Sequence, residues 1–133
     1  MNAGRLLRAA GLDTDGLRDL IAPVDPDEVN VWPASTWMRA LWRPGIQGVT
    51  HWKWVFVDPE VLTGERMRLG RLVVHELVHV RQFVAGGYVR FVIRYVGEYV
   101  RGRLTGKSPR DAYLAISAEV EAREATARVV SLM

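Results

Sequence analysis

Cysteine is missing from the 133-residue chain. That excludes disulfides and thiolate-ligated zinc, and it suits a reducing compartment. Long apolar runs are missing too: no stretch approaches the ~18 residues of a membrane span. Met1 to Ala10 carries arginines but no continuous apolar segment, so a Sec signal peptide is not expected. The expected location is cytoplasmic, with export by a non-Sec route left open. The two signs of charge nearly balance, 18 Lys and Arg against 15 Asp and Glu, and a net +3 does not by itself call for nucleic acid. Histidine is rare, with three copies, which makes their placement informative.

What is present fits one soluble globular domain spanning 1–133, with 49% apolar and 25% charged residues. Two of the three histidines fall in Gly70 to Phe83, GRLVVHELVHVRQF, as His75-Glu76-Leu77-Val78-His79. On an α-helix His75 and His79 lie one turn apart on one face. Two imidazoles so placed can hold one metal ion, with Glu76 beside it to polarise a bound water. Leu69, Leu72, Val73, Val74, Leu77, Val78 and Val80 make this helix apolar on most sides, hence buried. A buried His-Glu-His cluster with no metal would be costly in desolvation. Two unrelated histidines on a merely packing helix are the plainer reading, and the spacing argues against it.

The rest of the chain reads as a scaffold for this helix. A short helix around Leu6, Leu7 and Ala10 turns at Gly11. A second spans about 14–21, capped by Asp13 or Thr14. Residues 22–33 hold three prolines and read as extended or loop. Five tryptophans, at 32, 37, 42, 52 and 54, cluster in the N-terminal half; core filling is the expected role, with a peptide groove as the alternative. Pro44-Gly45 and Gly48 mark a turn.

His51 to Val57, HWKWVFV, alternates as a strand that ends at Asp58-Pro59. An exposed sheet edge there could accept a substrate as an added strand. His51 is a candidate third ligand or oxyanion donor, though a lone strand histidine is more often a surface residue. Gly86-Gly87 stops the motif helix. Tyr88 to Arg103 forms another helix, apolar on one side and arginine-studded on the other. A solvated face is its default reading, with a nucleic-acid or anionic-surface patch as the alternative. Ser108-Pro109-Arg110-Asp111 starts the last helical region, which Ser117 interrupts. The fold class is therefore α+β, mainly helical.

A catalytic zinc wants three protein ligands and an open position. No third histidine follows at the H-E-x-x-H-x-x-G-x-x-H spacing, where Gln82, Ala85 and Gly86 stand. The remaining candidates are Glu119, Glu121 and Glu124, in AEVEARE. As acids near a helix start they also suit the macrodipole and arginine pairing. Gln82 shares the histidines' face and either hydrogen-bonds near the metal or caps the helix.

HELVH followed by a distal Glu-Ala on a helix resembles the glutamate-zincin (gluzincin) metallopeptidases. HELVHVRQ followed by E-x-E-A is similar to the small bacterial metallopeptidase domains found alone or beside contractile injection systems. The resemblance covers residues 51–128 and leaves 1–45 without a role. It implies a minimal zincin-like domain: a short sheet edge, the motif helix, and a C-terminal helix carrying the third ligand, with 51–130 as the catalytic core. It maps that ligand onto Glu121, with Glu124 as runner-up and Glu119 orienting a histidine. Arg123 and Glu124 depart from the pattern, standing where several gluzincins carry an aspartate that holds a histidine.

The implied activity is zinc-dependent hydrolysis of a peptide or protein. One Zn2+ per chain, on His75, His79 and Glu121, acidifies its bound water, and Glu76 takes the proton as general base. Tyr113 is the first candidate to stabilise the oxyanion, ahead of Tyr95 and His51. The expected protein is a monomer with no membrane span. A metal-stabilised binding or accessory module, such as a toxin payload or maturation factor, is the alternative, ahead of a basic nucleic-acid binder.

Overall fold

A computed structural model describes residues 1–42 and 46–131; the expected Pro44-Gly45 turn lies outside them. The chain is α+β and mainly helical. Helix α1 (Ala3–Ala9) and α2 (Asp15–Ile21) are followed by a 3-10 turn (Pro26–Glu28), strand β1 (Asn30–Pro33) and α3 (Thr36–Leu41). Then come β2 (Gly48–His51), β3 (Trp54–Val57), α4 (Pro59–Leu62), α5 (Arg66–Gly86), α6 (Tyr88–Leu104), α7 (Pro109–Leu114) and α8 (Ser117–Ser131). No described helix is long and apolar enough to cross a membrane.

Local chemistry accounts for most boundaries. Thr14 caps α2 by accepting from the Leu17 N–H, and Ser108 caps α7 by accepting from Asp111 N. The Glu65 carboxylate accepts from the N–H groups of Met67 and Arg68 and starts α5. Gly87, at φ +84°, separates α5 from α6 in a conformation that favours glycine.

The sheet has the order β1-β3-β2, with β1 parallel and β2 antiparallel to β3. This corrects the expectation of one strand over His51 to Val57. The segment is split by a two-residue turn at Trp52-Lys53, where Trp52 adopts φ +59°. Such turns usually use Asn-Gly or Gly, so this one carries no composition signal. Gly48, expected in a turn, opens β2 instead.

The core lies where α5 meets α1, α2, α8 and the inner sheet face. Leu7, Leu17, Ile21, Val55, Val73 and Leu77 are fully buried there. Residues 1–31 therefore help build the core that carries the motif helix. The tryptophans do not fill it: Trp32, Trp37, Trp52 and Trp54 are exposed. The cause is strand phase. Trp32 pairs with Phe56 on the outer side, while Val31 and its partner Val55 take the buried side.

Candidate metal centre

Helix α5 is 21 residues long, and its middle is buried from Val73 to Val80 apart from the partly open His75. On it His75 and His79 stand one turn apart, His79 buried and His75 partly open. Their rings meet edge to face with centroids 5.0 Å apart. A single oxygen faces both of them. Glu119 Oε1 lies 2.9 Å from His75 Nε2 and 2.9 Å from His79 Nε2. Among the described residues, His75, His79 and Glu119 form the group of His, Asp and Glu side chains able to hold a metal ion.

Glu119, not Glu121, thus stands at the histidine pair. The two residues are about 200° apart around α8. Glu119 shares its phase with Ala122, Ala125 and Val129, the buried stripe of that helix. Glu121 points away from the pair, pairs with Arg81, and accepts from Gln82 Nε2 at 3.0 Å. The Gln82 bond leads in holding its carboxyl below the usual range, with Arg81 adding to the effect. Glu124 is exposed and also outside the group. The apolar phase of α8 was the signal that could have selected Glu119.

The surrounding bonds orient all three donors. Gln82 Oε1 accepts from His79 Nδ1 at 2.8 Å, which turns Nε2 toward Glu119. Gln82 Nε2 donates to the Ala118 carbonyl at 3.1 Å, joining α5 to the start of α8. Of the two expected roles for Gln82, the structure shows the one beside the histidines. Tyr95, on α6, donates to Glu119 Oε2 at 2.9 Å and leaves Oε1 to the histidines.

Electrostatics follow from this closure. Burial alone would lower the His79 pKa, but the Glu119 hydrogen bond and the charges of Glu76 and Glu119 raise it to about 9. Burial would raise Glu119, yet the bonds to His75 and His79 hold it well below the ordinary carboxylate range. Burial and the Glu119 charge push the Tyr95 and Tyr113 hydroxyls up, so both stay protonated at neutral pH.

Glu76 is buried on the same helix. Thr50 Oγ1, on β2, lies 2.6 Å from Glu76 Oε2 and holds that side of the carboxylate. The other oxygen, Oε1, lies against Gly48, where a Cβ would stand 3.1 Å from it. Sequence reading did not find Thr50 or this role of Gly48, because both contacts join β2 to α5 across more than twenty residues of chain.

Two cavities meet at Glu76. One, of about 820 Å³, is lined by His75, Glu76, Tyr113 and Gly48 among others. The second, of about 230 Å³, runs between β2 and α6 past His79 and Glu119. Tyr113 lines both. His51 lies at the outer part of the second cavity, hydrogen-bonded to the Tyr88 hydroxyl at 2.9 Å. It is not part of the metal-capable group. No described tryptophan lines either cavity, so the tryptophan-lined groove does not form there.

No protein-family model matches the chain, and neither a curated protein nor a solved structure matches it.

Proposed function

We propose that the protein is a zinc-dependent metallopeptidase of zincin-like architecture, with His75, His79 and Glu119 as ligands and Glu76 as general base. The observation that carries this reading is the convergence of His75 Nε2 and His79 Nε2 on one Glu119 oxygen, next to a buried glutamate at a cavity. The donor set suits zinc: two imidazoles, one carboxylate and an open side. The ligand atoms of the three side chains all lie within 4.8 Å of one another, close enough for one ion to be held by all three.

When bound, zinc supplies a Lewis acid and brings a coordinated water toward a pKa of about 7. This chain's residues do the rest. Gln82 and Tyr95 keep His79 and Glu119 oriented. Glu76 accepts the water proton at Oε1, the oxygen that Thr50 leaves free, and passes it to the leaving amine. Tyr113, kept protonated and lining both cavities, is the donor for the developing oxyanion. Tyr95 is already committed to Glu119 and serves as a positioning residue. Strand β2 has β3 as its one strand partner among the described residues, so its outer edge can align an extended peptide beside Glu76.

One observation favours a second reading, a binding or accessory module whose cluster is stable without metal. With His79 protonated, the His-Glu-His network is already hydrogen-bonded and partly charge-compensated. Metal analysis and turnover decide between the two. Protein purified without a tag and dialysed against zinc should hold about one zinc per chain, lost in Glu119→Ala. Glu76→Gln should keep the zinc and lose peptide-library cleavage. A wild-type protein that takes up no zinc would leave the cluster as a structural network.

A further inference from the structure

Helix α6 turns its aromatic side inward. The Phe91 ring lies 4.1 Å from that of Phe83, and Tyr95 reaches Glu119. Its aliphatic side faces out. Val89, Ile93, Val96, Val100 and Leu104 recur every three or four residues along one stripe, and no described element covers them. Ile93 is 68% exposed and Leu104 82%. Around the helix, Arg90, Arg94 and Arg101 rim one side of the stripe and Arg103 the other. The helix carries these four arginines against a single glutamate, Glu98.

The patch continues onto the β2–β3 turn. His51 stacks on Trp54 and meets the Tyr88 ring edge to face, which ties the turn to the first residue of α6. Trp52 and Trp54 are exposed there, with exposed Lys53 between them.

We infer that α6 and the Trp52–Trp54 turn form a docking face for an anionic lipid bilayer, with α6 lying in the plane of the headgroups. The chemistry matches that surface on both counts. An aliphatic stripe enters the acyl boundary while flanking arginines meet anionic headgroups. Indole rings favour the same depth. A second copy of the chain fits worse, because stripe-to-stripe contact would bring two arginine-rich rims together. Nucleic acid would use the arginines but leave the aliphatic stripe without a partner. The inference holds whether or not the His-Glu-His group binds metal. Its spatial consequence is that the cavity past His79, walled by Val92 and Val96 of α6, opens beside the bilayer.

The test is flotation of the full chain with vesicles of pure phosphatidylcholine and vesicles containing phosphatidylglycerol, at low and high salt. Partitioning should favour the anionic vesicles by at least about a hundredfold, and salt should reduce it severalfold. Arg90→Ala, Arg94→Ala and Arg101→Ala combined should cost about a hundredfold, since each arginine near the surface contributes about fivefold. Ile93→Glu should cost about tenfold or more through loss of the apolar insertion. Circular dichroism of each variant should match the wild type, as these side chains are exposed. Equal binding to both vesicle types, binding insensitive to Ile93→Glu, or a stable dimer in light scattering that Ile93→Glu dissolves would each overturn the inference.

Discussion

Replacing Glu119 by Gln in the metal-free protein probes the charge network directly. The substitution keeps volume but removes the charge facing His75 and His79. In the folded state the His79 pKa is raised from 6.5 to about 9. A raised histidine pKa stabilises the fold fully below 6.5, and that contribution is lost as pH rises through 9. At about 1.4 kcal/mol per pKa unit, the ceiling is about 3.5 kcal/mol, of which about 3 kcal/mol falls between pH 6 and pH 9.5. Any weakening of the Tyr95 hydrogen bond adds a penalty that does not titrate in this window, because Tyr95 stays protonated. Wild type and Glu119→Gln should therefore differ by about 3 kcal/mol more near pH 6 than near pH 9.5. In urea, with a slope of about 1.5 kcal/mol per molar, the gap between their midpoints should narrow by about 2 M across that range. The assay is equilibrium unfolding in the presence of a chelator. A gap that stays constant between the two pH values would refute the ionic reading of the network.

Glu121→Ala should retain zinc and cost less than about 1 kcal/mol in chemical unfolding, because its partnership with Arg81 lies at the surface; loss of metal would return Glu121 to the ligand set. Gln82→Leu frees His79 Nδ1 and should weaken zinc binding by about 10–100-fold in a chelator competition, with an unchanged affinity counting against the orienting role. Gly70→Ala gains about 1 kcal/mol of helix propensity. It also drives a Cβ to 2.7 Å from both Ala10 Cβ and Leu12 Cδ1. The clash should win, giving a net loss of about 1 kcal/mol or more in thermal unfolding, and a stabilised variant would show that α1 can move away from α5.

The sequence by itself determined whatever is local. The i, i+4 spacing of His75 and His79, the cap at Ser108, and the stop at Gly86-Gly87 depend on neighbours within one turn, where backbone geometry leaves few choices. The tertiary structure decided everything that depends on which face of an element meets another. The choice among Glu119, Glu121 and Glu124 is a question of helix phase, set when Ala122, Ala125 and Val129 of α8 settle against the core. Resemblance pointed to the glutamate before an alanine, and packing brought in the one two residues earlier. The turn at Trp52-Lys53 follows the same logic. A tryptophan with positive φ is unfavourable alone, and it occurs here where pairing between β2 and β3 frames the turn and Phe83 contacts its ring. Thr50 and Gly48 came to Glu76 from 26 and 28 positions earlier in the chain, a distance that no short motif spans. Local spacing specifies which donors stand one turn apart, whereas long-range burial decides which carboxylate they meet, because that meeting is a by-product of excluding water from the core.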